Sequence, residues 1–180
     1  MLIQSEKSLL LVIDVQERLT PAIADAPRLT TNIVRLLKAA NLLEVPILAT
    51  EQYPRGLGKT MEDVADLIPE EAVVEKIHFS AMSEPGFAER LKATGRKQIV
   101  VVGMEAHICV LQTALELRQA GYEVFAVDDG MGSRVRTNTD LAIARMRSSG
   151  IEVVATEMVV FEWAHRADRA CFKQLSALIK

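Results

Sequence analysis

Cys109 is the residue of this chain best placed for covalent chemistry. It lies in the stretch VVVGMEAHICVLQTAL, directly after an apolar β-type run and inside the first turn of the helix expected to follow. A helix start offers unpaired backbone N–H groups and the positive end of the peptide dipoles, which favour a thiolate over a thiol and suit a reactive nucleophile. A small core thiol is the competing reading, and it is the one taken for Cys171, on an apolar helical stripe. Asp14 ends the run LLLVI, where a carboxylate is partly desolvated unless something holds or uses it. It reads equally as a functional group or as a cap for the next loop. Lys76 ends AVVEK and emerges at the same rim; alone, a lysine at a strand end is usually just solvated.

Other chemistries find less support. His78, His107 and His165 show no HxH or HExxH spacing, so no metal is assigned. The GLGKT segment lacks the longer phosphate-loop spacing, and no cofactor is expected. His107, beside the thiol, can border a pocket or cap a helix. The loop TEQYPRGLGKT can form a pocket wall or a plain surface turn, and Gln16 can support Asp14 by hydrogen bonding. Asp128, Asp129 and Gly130 suit a turn or helix cap.

These residues need a scaffold. Apolar, β-branched runs recur at 8–15, 46–50, 72–76, 98–104, 123–128 and 152–156, continuous rather than alternating, as in parallel strands covered on both faces. Between them, Leu29, Ile33, Leu36, Leu37 and Ala40, then Ile108, Leu111 and Leu115, then Leu141, Ile143 and Met146 recur at helical spacing. Gly121 and Gly150 stand where two of these helices should stop. Ala167, Cys171, Leu175 and Leu178 predict one closing amphipathic helix over 164–180. With no repeat or linker, residues 1–180 read as one doubly wound, three-layer α/β domain, with its site beyond the carboxyl ends of the strands.

Composition narrows the partners. With 21 Lys and Arg against 24 Asp and Glu, the net charge of −3 gives no basic footprint for nucleic acid or an anionic membrane, so a small-molecule substrate is expected. Apolar runs are far short of the roughly 20 residues a spanning helix needs. The start MLIQSEKSLL does not read as a signal peptide, which predicts a cytoplasmic protein.

Taken together, LLLVIDVQ, EQYPRGLG, VVEKIHFSAM and VVVGMEAHICV, in that order, resemble the isochorismatase-like hydrolases, relatives of nicotinamidases and N-carbamoylsarcosine amidases. The resemblance spans most of the chain. It implies a three-layer αβα sandwich with a six-stranded parallel sheet in Rossmann-type order, and a homo-oligomer. It makes Asp14 the base, Lys76 the orienting cation and Cys109 the nucleophile. It further implies a cis peptide between Met104 and Glu105, with the N–H groups of Glu105 and Cys109 as an oxyanion hole. Gln16, Gln52, Tyr53, Phe79 and His107 are the candidate substrate contacts. Nicotinamidases place an Asp-x-His metal motif where this chain has Glu51, Gln52 and Tyr53, which argues against nicotinamide as substrate. Isochorismatases proper lack the nucleophilic cysteine, so Cys109 points instead to an amidase working through a thioester. Ether or ester hydrolysis with Asp14 as general acid, and a non-catalytic binding protein, are the alternatives.

Overall fold

The computed structural model describes residues 1–180. Its spine is two adjacent strands, β1 (Ser8–Ile13) and β4 (Gln98–Met104), in which every residue is buried. Runs such as LLLVI and IVVV are apolar on both faces, so they are stable only with helices above and below. β2 (Ile47–Gln52) and β3 (Val73–Lys76) extend the sheet on one side, β5 (Glu123–Gly132) and β6 (Glu152–Val154) on the other, giving the order β3-β2-β1-β4-β5-β6 with every neighbouring pair parallel. Strand order therefore reverses between β1 and β4, and a crevice opens beyond their carboxyl ends.

On one face α1 (Ala26–Leu42) packs with α7 (Thr156–Ala164) and α8 (Phe172–Ile179); on the other α5 (Leu111–Gln119) packs with α6 (Arg136–Ser148). Three short helices, α2 (Pro54–Leu57), α3 (Glu62–Ala65) and α4 (Phe87–Ala93), complete the cover. α1 buries Leu29, Ile33, Leu36, Leu37 and Ala40, the stripe its spacing dictates. After α5 and α6 the chain turns through Gly121 (φ 87°) and Gly150 (φ 76°), the left-handed conformation that favours glycine past a helix end. The buried apolar side chains form one continuous cluster. No helix is long and apolar enough to cross a membrane.

Several boundaries differ from expectation, each for a local reason. β1 stops at Ile13 rather than residue 15 because Asp14 turns to φ 52°, whereas β2 runs on to Gln52. β5 continues through Asp128–Gly130 to Gly132, past an irregular register opposite Val101 and Gly103. Asp129 still caps: its Oδ1 accepts from the N–H and hydroxyl of Thr156 at 2.8 and 2.9 Å, starting α7 where the last strand was expected to continue. Of the closing helix expected over 164–180, only α8 forms; residues 165–171 are irregular, and the unexpected α7 precedes them. The chain breaks at His165 (φ 58°), and Cys171, half-buried, stands just before the first residue of α8. α7 escaped the sequence reading because TEMVVFEWA continues the apolar character of β6; its Trp163 is buried, Nε1 donating to Ser8 Oγ at 2.9 Å.

Candidate active site

Asp14 is the first residue beyond β1. Its N–H still reaches the Thr50 carbonyl (3.1 Å), but its left-handed backbone swings the carboxylate into the crevice. An L-residue there is uncommon, and Asp tolerates it better than a branched side chain would. The carboxylate is fully buried and satisfied on both oxygens: Oδ1 accepts from Thr50 Oγ1 (2.7 Å) and Oδ2 from Lys76 Nζ (2.8 Å).

Lys76, the last residue of β3, is not the solvated strand-end lysine of the bland reading, for its side chain has no exposure. Besides Asp14, its ammonium donates to Gln52 Oε1 (2.7 Å) and to the carbonyls of His78 (3.2 Å) and Phe79 (3.1 Å). An ammonium has three protons, so one of these four contacts is shared. The carbonyls come from a loop pinned by Glu84, whose Oε2 accepts from the Ile77 and His78 N–H groups (3.0 and 3.3 Å) and sits 2.9 Å from His78 Nδ1. The same bonds, the His78 ring first, hold the Glu84 carboxyl below its ordinary range. Glu84 was not anticipated from the sequence.

The third member arrives from β4. Gly103 has φ 127°, and a Cβ built on it would collide with the Ile13 carbonyl; only glycine lets β4 approach the end of β1 so closely. The Met104–Glu105 peptide is cis, and a π-helical turn, Ala106–Val110, leads into α5. Two N–H groups of that turn, Ile108 and Val110, point back to the Glu105 carbonyl at 3.1 and 3.2 Å. Side chains fasten the turn to the segment after β5: Arg134 Nε donates to Glu105 Oε1 (2.9 Å), and His107 Nδ1 meets Ser133 Oγ at 2.8 Å. Cys109 is buried, 6% exposed, and its thiol is close enough to Asp14 and Lys76 for both charges to act on it.

The electrostatics correct one expectation. Burial pushes the Cys109 thiol up to about 12, the charge of Asp14 adds to the rise, and Lys76 only partly opposes both. The thiol is therefore protonated at rest: desolvation and a neighbouring carboxylate outweigh the favourable end of a short helix. Burial likewise raises the Asp14 pKa, against the pull of Lys76, Thr50 and the thiol.

Of the remaining candidates, Gln16 and Gln52 are both buried and hydrogen-bonded within the site's framework. Gln16 is fully buried; its Nε2 donates to the carbonyls of Gln52 (3.0 Å) and Gly58 (2.7 Å), and its Oε1 accepts from Gln52 N–H (2.8 Å). Gln52 spends its side chain on Lys76 and on the Ile77 carbonyl (2.8 Å). Tyr53 and Phe79 are 52% and 54% exposed at the rim beside Lys76, and His107 is occupied by Ser133. Glu51, where the nicotinamidase metal motif would lie, is buried and accepts from Thr60 N–H and Oγ1 (2.6 and 2.8 Å). No group of three or more His, Cys, Asp or Glu side chains is placed to hold a metal ion.

Fold and site together define an α/β protein with a buried Asp–Lys pair and a thiol at the point where strand order reverses. The chain belongs to the isochorismatase-like hydrolase family: residues 8–158 match the isochorismatase domain. It is 36% identical over 178 residues to mouse isochorismatase domain-containing protein 2A, covering 97% of this chain and 84% of the mouse protein. A Caenorhabditis elegans structure described as the MAR1 ribonuclease superposes with a TM-score of 0.93 at 33% identity, over 99% of this chain and 92% of that one. The Escherichia coli ycaC gene product, described as an octameric hydrolase of unknown specificity, shares the fold with a TM-score of 0.93 at 22% identity, over 99% and 90% of the two chains.

Proposed function

We propose that this chain is a cysteine hydrolase that cleaves the carbon–nitrogen bond of a small amide through a thioester on Cys109. The observation that carries the reading is one buried carboxylate, Asp14, paired with the Lys76 ammonium at 2.8 Å, next to a buried Cys109 thiol whose titration both charges perturb. Asp14 takes the thiol proton as the sulfur attacks the amide carbon, and Lys76 offsets the negative charge left on the pair. The oxyanion is received by the N–H groups of Glu105 and Cys109; one such donor is worth on the order of a hundredfold in rate. Asp14 returns the proton to the nitrogen as the carbon–nitrogen bond breaks. It then deprotonates the water that hydrolyses the thioester, and the thiol is regenerated. Burial raises the Asp14 pKa, the direction that makes a carboxylate a stronger base.

The buried triad favours a small substrate, with Tyr53 and Phe79 as apolar contacts at the rim. The ribonuclease activity in the name of the C. elegans protein is a less suitable model, since a net charge of −3 gives little hold on a phosphate backbone. We also propose a homo-oligomer, by analogy with the octamer described for the E. coli protein. The raised Asp14 pKa gives some support to a second reading, ether or ester hydrolysis with Asp14 as general acid. The two separate cleanly. Across a panel of small amides, intact-mass analysis of acid-quenched protein is expected to show an acyl adduct on Cys109 and none on a Cys109→Ala protein. Undiminished turnover by that variant would overturn the thioester route.

A further inference from the structure

The Lys76 ammonium depends on a stretch of chain that the sheet does not hold. Two of its four acceptors are the carbonyls of His78 and Phe79, within residues 77–80, which leave β3 without joining a helix or strand. Glu84 ties the start of this loop, and its far end is tied to another element. Ser80, 3% exposed, donates from Oγ to Glu116 Oε2 at 2.7 Å and accepts from the Met82 N–H at 3.2 Å. Ser83 Oγ reaches both oxygens of the same carboxylate, at 3.2 and 3.0 Å. The Ala81 N–H donates to Thr113 Oγ1 at 3.0 Å, and both residues are fully buried. Thr113 and Glu116 stand three residues apart in α5, so one face of one helix receives the loop. That helix continues the turn that carries Cys109. Glu116 takes part in no ion pair, and the two serine hydroxyls are the partners of its carboxylate. Hydrogen bonds to an ionised acceptor are roughly twice as strong as neutral ones.

We infer that Glu116 is a positioning residue: through Ser80 and Ser83 it fastens the loop after β3 to the helix that follows the nucleophile's turn, and so holds the His78 and Phe79 carbonyls against Lys76 and Lys76 beside Asp14. The effect reaches the base. Burial raises the Asp14 pKa, and the charge of Lys76 is the largest influence opposing that rise; Cys109 is the other titratable group acting on it. An ammonium that loses two of its acceptors is free to turn away, and the Asp14 pKa then rises further. The inference rests on the reading of Asp14 as the base for Cys109.

The test follows iodoacetamide labelling of Cys109 against pH in the intact protein, which needs no substrate. In the parent, labelling falls on the acid side as Asp14 becomes protonated. The expected result in Glu116→Ala is the same fall displaced to higher pH by about one unit, the low end of the 1–3 pH units that an adjacent opposite charge exerts on a carboxylate. Removing the negative charge of Glu116 would by itself displace the fall the other way. Glu116→Gln keeps an oxygen for Ser80 and an amide for Ser83, and should label as the parent does. Ser83→Ala, at an exposed position, removes one tie and should displace the fall upward by less. Leu10→Ala, destabilised in the middle of β1, should leave it in place. Profiles of Glu116→Ala and Ser83→Ala that coincide with the parent's would overturn the inference and leave the role of Asp14 standing. So would an equal displacement in Leu10→Ala, which would reduce Glu116 to a structural tie. A parent profile that Asp14→Asn does not alter would overturn the base reading, and the inference with it.

Discussion

The interior of the sheet and its carboxyl-end rim are one residue apart, yet they obey different rules. Ile13 is an apolar side chain among apolar neighbours; Asp14, next in the chain, is equally buried, charged, and turned to a positive φ. In the interior, local propensity, pattern and packing agree. At the rim a carboxylate and an ammonium have been taken out of water and held by named partners, which is costly unless every polar atom is matched. The contrast locates stability in one region and chemistry in the other. Substitutions can test whether the two separate.

The largest effect expected is on turnover. Replacing Cys109 with Ala should lower kcat about 10⁴-fold or more on any amide the protein accepts, with only a modest change in Tm. Activity that falls only in proportion to lost folding would erase the distinction between rim and interior. Lys76→Met is the substitution at which the regions meet, because it strands the buried Asp14 carboxylate. It should cost about 3–5 kcal/mol in chemical denaturation as well as activity. Leu10→Ala, in the middle of β1 and fully buried, should cost about 2–5 kcal/mol while leaving kcat per folded molecule unchanged.

A smaller effect follows from the thiol. Its native pKa of about 12 lies above the ordinary value of 9.0, so the native state keeps a proton that the unfolded chain releases. That contribution is whole below pH 9 and is lost as pH rises toward 12. Between about pH 8 and about pH 10.5, Cys109→Ala should therefore lose less stability than the parent, as read by urea denaturation at each pH. Equal losses would mean that the thiol is not desolvated.

The same contrast governs what could be read in advance. Runs such as IVVV and LLLVI made the strands legible, and the positions of Asp14 and Lys76 at strand ends and of Cys109 at a helix start brought them to notice before any contact was known. Their partners were not legible. Thr50, Glu84 and Arg134 meet the site through contacts set by strand order and loop path, and nothing in their own neighbourhood distinguishes them. The rise in the thiol pKa was missed for a related reason: sequence shows the helix start that lowers it, while the burial that raises it exists only once the sheet is assembled. The break at His165 escaped because a positive φ in a non-glycine residue leaves no mark in composition.

The central claim is that Asp14 serves as the base for the Cys109 thiol. The direct measurement is the pH dependence of iodoacetamide labelling at Cys109, followed by peptide mass spectrometry with Cys171 as internal reference, in the parent and in Asp14→Asn. An unassisted thiol labels about tenfold faster per pH unit until the pH reaches its pKa. The expected result is a rate at Cys109 that levels off once Asp14 is ionised, falls as Asp14 becomes protonated, and collapses in Asp14→Asn. A Cys109 profile that climbs with pH like an unassisted thiol, and is unchanged by Asp14→Asn, would contradict the account.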